Sequence, residues 1–180
     1  MYEKQIKDTL ETSRLRLRKF KHSDCNAVYK YGCDPRVLKY LVWVGITAKQ
    51  EALACIDEYY LSRPGIYAIA LKNNDLCIGA VEIRVDEEND KASFGYLLDY
   101  DYWNKGYMSE ALMRVLEHCF IDLKLNRVEA LHYKTNPASG KVMAKCGMKF
   151  EGIGIQELKV KGVYQDAVHY GITQEMWQNQ

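Results

Sequence analysis

A chain of 180 residues, 48% of them hydrophobic, has enough apolar surface to bury a core without metal ions or cross-links, which excludes intrinsic disorder. Lys and Arg number 25 against 24 Asp and Glu, a net charge of +1, and this balance excludes the broad cationic face that a nucleic-acid binder needs. Any anionic ligand has to be met locally.

Residues 14–20 (RLRLRKF) alternate Leu15 and Leu17 with Arg14, Arg16 and Arg18, the period of two expected of a strand wet on one face. Short helices are expected over Asp24 to Tyr31 and Pro35 to Leu41. Thr47 followed by Gln50 reads as a capping box, opening a helix that buries Leu53, Ile56 and Tyr60 and ends near Pro64. Three strands follow at 66–72, 76–86 and 92–99, with polar turns at Asn73-Asn74-Asp75 and 87–91, an antiparallel meander. Beyond Gly106, Ala111, Leu112, Val115, Leu116, Cys119, Phe120 and Leu123 recur at helical spacing, with Glu110, Arg114, Glu117 and His118 opposite. A strand at 127–134 leads into Asn136-Pro137, where Asn should cap a helix and Pro should sit in its first turn. Gly147 has the freedom to close that helix. Strands at about 150–160 and 164–173, joined at Lys161-Gly162, complete a mixed α/β order that excludes a purely doubly wound sheet.

The six cysteines, at 25, 33, 55, 77, 119 and 146, form no C-x-x-C pair, and only four histidines accompany them. Free buried thiols in a reducing cytoplasm are expected, and no metal site. No apolar run approaches the roughly 20 residues of a membrane span, and MYEKQIKDTLETSR lacks a signal-peptide core. The expectation is one cytoplasmic domain over 1–180, monomer or homodimer, without membrane or nucleic-acid partners.

The segment Trp103-Asn104-Lys105-Gly106-Tyr107-Met108-Ser109-Glu110-Ala111 takes a strand straight into the strongest helix. At such a junction the first helical amides are unpaired and the helix dipole is positive, an anion site made by the backbone. Gly106 admits an anion close to that backbone, and Lys105 adds charge at the rim. One glycine in a turn is weak evidence alone. Two nucleotide alternatives fail on residues: there is neither G-x-x-x-x-G-K-[ST] nor G-x-G-x-x-G with a later acidic partner.

Gly95-Tyr96-Leu97-Leu98, followed by Tyr102 through Leu112, resembles the acetyl-CoA signature of the GNAT acetyltransferases, in the branch of RimJ/RimL-type ribosomal-protein alanine and serine N-acetyltransferases. Asn136-Pro137-Ala138-Ser139 with Lys145-Cys146-Gly147-Met148 is similar to the branch's second signature, and Gly162-Val163-Tyr164-Gln165-Asp166 with Tyr170 to its closing strands. The resemblance covers about residues 12–177. It implies a central, mostly antiparallel, twisted sheet of about seven strands, splayed at the fourth and fifth and flanked by helices. It further implies acetyl-CoA as cosubstrate and an amine as acceptor, a peptide N-terminus favoured over a polyamine, amino sugar or antibiotic. An acetyl-CoA-binding sensor without turnover is the alternative outside the enzyme class.

Under the same resemblance, the amides of Lys105, Gly106, Tyr107, Met108 and Ser109 would bind the pyrophosphate, with Trp103 and Asn104 in the same loop. Tyr96, Leu97 and Leu98 would flank the pantetheine arm, the Leu98 amide polarising the thioester carbonyl, and Asn136 would contact the arm from across. Lys141 and Lys145 could reach the 3′-phosphate, although a solvated helix face explains them equally. Ser139 is the candidate donor of a proton to the thiolate. Glu82, on a strand between apolar neighbours, is the candidate base, with solvent exposure as an equal explanation. Ser93 stands where the branch often carries glutamate, Asn104 where it carries glycine, and Met108 where a smaller residue is usual. Of the 14 tyrosines, most are expected to pack, and one or two to line the acceptor pocket.

Overall fold

The computed structural model describes residues 2–179, so Met1 and Gln180, the ends of the expected domain, lie outside the described residues. Among the described residues eight strands build one sheet: β1 (Thr9–Glu11), β2 (Leu15–Arg18), β3 (Ile66–Leu71), β4 (Cys77–Asp86), β5 (Lys91–Leu98), β6 (Arg127–Tyr133), β7 (Lys149–Val160) and β8 (Val163–Thr173). They lie in the order β1-β2-β3-β4-β5-β6-β8-β7, and every pairing is antiparallel except β5 with β6. The strand beyond the seven expected is β1, which pairs Leu10 with Leu17 and at three residues is too short to show a period.

The helices are α1 (Cys25–Cys33), α2 (Pro35–Leu38), α3 (Lys49–Cys55), α4 (Tyr107–Glu117), α5 (Pro137–Lys145) and α6 (Gln174–Gln178). Strand alternation sends Ile66, Ala68 and Ala80 to one face, where they meet Val28 of α1 and Ala52 of α3. Leu17, Tyr67, Ile69, Val81, Ile83 and Phe94 go to the other, against α4 and α5. The apolar stripe that α4 and the π-helical turn after it share is buried from Ala111 to Leu123, as its spacing predicts. Each large side chain of that stripe contributes about 1.5–3 kcal/mol relative to exposure, which fixes the helix, and with it the loop at its start, against the sheet.

Several local readings need correction. The box before α3 closes through Glu51, whose carboxylate accepts the Thr47 N–H at 2.7 Å and the Thr47 hydroxyl at 2.8 Å, and not through Gln50. Because the helix begins at Lys49, Ala52 and Ile56, four apart, share the buried stripe, and Leu53 is left 38% exposed. His118 is fully buried instead of lying on the polar face: α4 runs into a π-helical turn at His118–Asp122 that rotates the ring inward, 2.8 Å from Asp122. The Asn136 side chain makes no cap bond, since its backbone, at φ −116° and ψ 65°, has left the extended conformation from which a side chain reaches the first amides. All six cysteines are free, but only Cys77, Cys119 and Cys146 are buried; Cys33 is exposed.

The feature that positions the site is the short partnership of β5 and β6. They pair only through Lys91–Ser93 against Arg127–Glu129. Beyond that register the two strands diverge, and the far half of β5 faces a gap.

Candidate active site

Backbone alternation decides what enters the gap. Asp99 N–H donates to the Ile78 carbonyl at 2.8 Å, so in the β4–β5 ladder the paired positions include Ala80 with Leu97 and Glu82 with Gly95. The amides of Tyr96 and Leu98 therefore point away from β4, into the gap. On the other wall, the Tyr96 hydroxyl lies 2.7 Å from Ser139 Oγ and donates to the Ser139 carbonyl at 3.1 Å, which ties β5 to the first turn of α5. Burial pushes the Tyr96 phenol up, so it stays protonated.

From Leu98 the chain turns into α4 through a tightly held loop. Trp103 Nε1 donates back to the Leu98 carbonyl at 2.8 Å, and Lys30 bridges Asp99 and Asp101 at 2.7 and 2.6 Å. Asn104 and Gly106 both adopt left-handed backbone, φ 58° and 79°, conformations that Asn tolerates and Gly adopts freely. The first bond of α4 is Glu110 N–H to the Gly106 carbonyl, and no side chain caps the turn. The amides of Tyr107, Met108 and Ser109 are therefore left for a ligand.

Arg14 and Glu110 brace this turn from outside. Arg14 donates to Glu110 at 2.6 Å and to the Lys105 carbonyl at 3.1 Å, and its guanidinium stacks on Tyr107 at 4.3 Å. Burial pushes the Glu110 carboxyl up, but hydrogen bonds from Thr12, Arg14 and Ser13 more than offset it and hold it below the ordinary range. Its charge is thus paired with that of Arg14, 2.6 Å away.

A cleft of about 370 Å³ runs along these groups. Its walls bring together Tyr96, Leu97, Leu98, Trp103, Asn104, Gly106, Tyr107, Met108, Ser109, Asn136, Ser139, Lys141 and Lys145. Lys105 instead turns its ammonium toward the Tyr102 ring, 5.5 Å away. Lys141 and Lys145 are exposed, while the Met108 side chain is buried in the core. The exposed amides suit a diphosphate and the gap suits an extended amide-bearing arm, so these residues fit a coenzyme A thioester.

A second cleft of about 870 Å³ opens on the face carrying α1 and α3, and shares Tyr40, Leu41, Tyr96, Leu97, Asn136 and Ser139 with the first. Glu82 lies on its wall, accepting from Tyr59 at 3.0 Å and from Arg84 at 2.7 Å. Ser93 accepts from Arg84 Nε at 3.2 Å. Arg84 and Tyr59 escaped the sequence reading. Two charged residues spaced by two on one strand were a legible signal for Arg84, whereas Tyr59 arrives from a π-helical turn 23 positions away in sequence. Burial pushes the thiols of Cys77, Cys119 and Cys146 up to about 12, which leaves them poor nucleophiles. Among the described residues no cluster of three His, Cys, Asp or Glu is placed to hold a metal, and no helix is long and apolar enough to cross a membrane.

Comparison with known proteins gives the same answer as the geometry. The family model described as an acetyltransferase (GNAT) domain matches residues 14–149. Over 168 residues, 93% of this chain and 98% of the relative, the chain is 30% identical to the uncharacterized N-acetyltransferase YnaD of Bacillus subtilis (strain 168). Over 116 residues, 63% and 72% of the two chains, it is 28% identical to the L-amino acid N-acetyltransferase AaaT of Escherichia coli (strain K12). The crystal structure of a GNAT-family acetyltransferase from Bacillus anthracis matches with a TM-score of 0.85 at 26% identity, over 93% of this chain and 99% of that one. The chain belongs to the GNAT acetyltransferase family, and it is an acyltransferase, an N-acetyltransferase whose donor is acetyl-CoA.

Proposed function

We propose that this enzyme acetylates a primary amine by direct attack in a ternary complex, the donor lying in the smaller cleft and the amine entering through the larger. The observation that carries this reading is the meeting of the two clefts at Tyr96, Leu97 and Ser139. The donor supplies an acetyl group already activated as a thioester, so the protein's tasks are to bind, orient and move protons.

In this reading the α4 amides from Tyr107 to Ser109 hold the diphosphate, Tyr96 and Leu98 N–H groups hold the arm, and the Leu98 amide polarises the thioester carbonyl. Ser139 gives its hydroxyl proton to the departing thiolate and is resupplied through Tyr96, 2.7 Å away. Glu82, directly or through water, takes the proton from the amine. The set works within one domain in the cytoplasm, a placement supported by six unpaired thiols.

Release of the free thiol is the test, measured with a panel of amines: amino acids, amino acid amides, short peptides, polyamines and amino sugars. At least one amine should raise thiol release well above the acceptor-free rate, with the acetylated amine found by mass spectrometry. Donor binding without transfer to any of them would favour a sensor that has lost turnover.

A further inference from the structure

Resting on the larger cleft as the acceptor entrance, we propose that the acceptor is a free α-amino acid, its ammonium met by Glu82 and its carboxylate by Arg84. Both residues lie on β4 and line that cleft. Both donors to Glu82, Tyr59 and Arg84, land on Oε2, so Oε1 has no part in either bond and can accept from an ammonium. Arg84 spends Nε on Ser93 and one Nη1 hydrogen on Glu82. A guanidinium carries five N–H donors, so the Nη1–Nη2 end of the fork keeps three, in the geometry that matches a carboxylate.

Gly95 of β5 stands beside this group: a Cβ there would be in ordinary contact with Arg84 Nη1 and Nη2, at 3.4 and 3.5 Å. Ser93 contributes a small hydroxyl where a glutamate would have claimed the same cation. The register then sets the order of the charges. Ala80 pairs with Leu97, Glu82 with Gly95 and Arg84 with Ser93, each step about 6.7 Å further from the donor cleft. An amine at Glu82 is on the thioester side and a carboxylate at Arg84 on the outer side, the orientation acetylation of the α-amine demands. The ammonium gives one proton to Glu82, which passes it to solvent; the amine nitrogen then bonds to the acetyl carbon as the C–S bond breaks, its second proton leaves while the thiolate takes one through Ser139, and the products are an N-acetyl amino acid and the free thiol. Trp43, Tyr59, Leu131 and Tyr170 on the same walls suit an apolar side chain. A peptide N-terminus offers Arg84 a neutral carbonyl in place of the carboxylate.

The experiment compares kcat/KM for L-leucine and L-phenylalanine with the values for their amides and for leucyl- and phenylalanyl-tripeptides. Wild type should favour the free acids at least tenfold. Arg84→Gln should cut that acid-to-amide ratio at least tenfold, mainly through the KM of the acids, and Arg84→Lys should restore part of it. Taking the ratio within each variant removes any general effect of loosening Glu82. Amides or peptides used as well as the acids, or a ratio unmoved by Arg84→Gln, would overturn the proposal while leaving amine acetylation standing. Failure to acetylate any amine would remove both.

Discussion

In the proposed function Ser139 is the single side chain that joins the two halves of the reaction. It lines both clefts, and its hydroxyl has the part-buried Tyr96 phenol 2.7 Å away. Tyr96 also donates to the Ser139 carbonyl, which holds the serine in register with β5 whatever its hydroxyl does. Ser139→Ala should therefore keep the fold and the donor KM but lower kcat by about 10²-fold, the ordinary worth of a positioned proton donor. An unchanged kcat in steady-state thiol release would remove serine from the acid role. This residue, with Asn104 and Gly106, was legible in the sequence because its setting is local: each sits at a helix start that neighbouring residues define. The Glu82–Arg84–Tyr59 group was not legible as a whole, because it is assembled by strand register and by a helix turn distant in the chain.

At the scale of elements, β4 and β5 carry the site, and the approach between them is set by a glycine. A Cβ on Gly79 would come 2.4 Å from the Leu97 carbonyl oxygen and 3.0 Å from the Leu98 Cα. Both are backbone atoms, which cannot swing aside as a side chain would. Gly79→Ala should then push the cleft-facing end of β5 outward, lowering stability by about 1–3 kcal/mol and raising the donor KM. An unchanged urea midpoint with unchanged KM would contradict this. Longer elements were readable from their periods, as with the stripe that α4 and the turn after it share from Ala111 to Leu123. The failures have a common cause in local geometry that a period ignores. A three-residue strand has no period, the π-helical turn after α4 rotates His118 inward, and a one-residue shift in the start of α3 exchanges Ala52 for Leu53.

Across the whole molecule, the site follows from one topological choice. The meander hands β5 to α4, and the crossover returns β6 parallel to it, but the two strands pair over only three residues each. The rest of that junction is open, with α4 presenting its amides at one end and α5 bracing the side through Tyr96 and Ser139. Element order was readable from the sequence. The splay was not: nothing in the composition of β5 or β6 forbids a longer ladder, and it entered only through the resemblance of the motifs. The larger cleft depends still more on tertiary contacts, because its walls come from the segment Tyr40–Trp43, the end of α3 and the turn after it, and the strands together. The proposed function therefore rests on the donor end, where the unpaired amides at the start of α4 would meet a diphosphate. Calorimetric titration of acetyl-CoA into the folded wild-type protein tests it most directly. One donor should bind per chain with a dissociation constant near micromolar, about −8 kcal/mol, and the absence of saturable binding would contradict it.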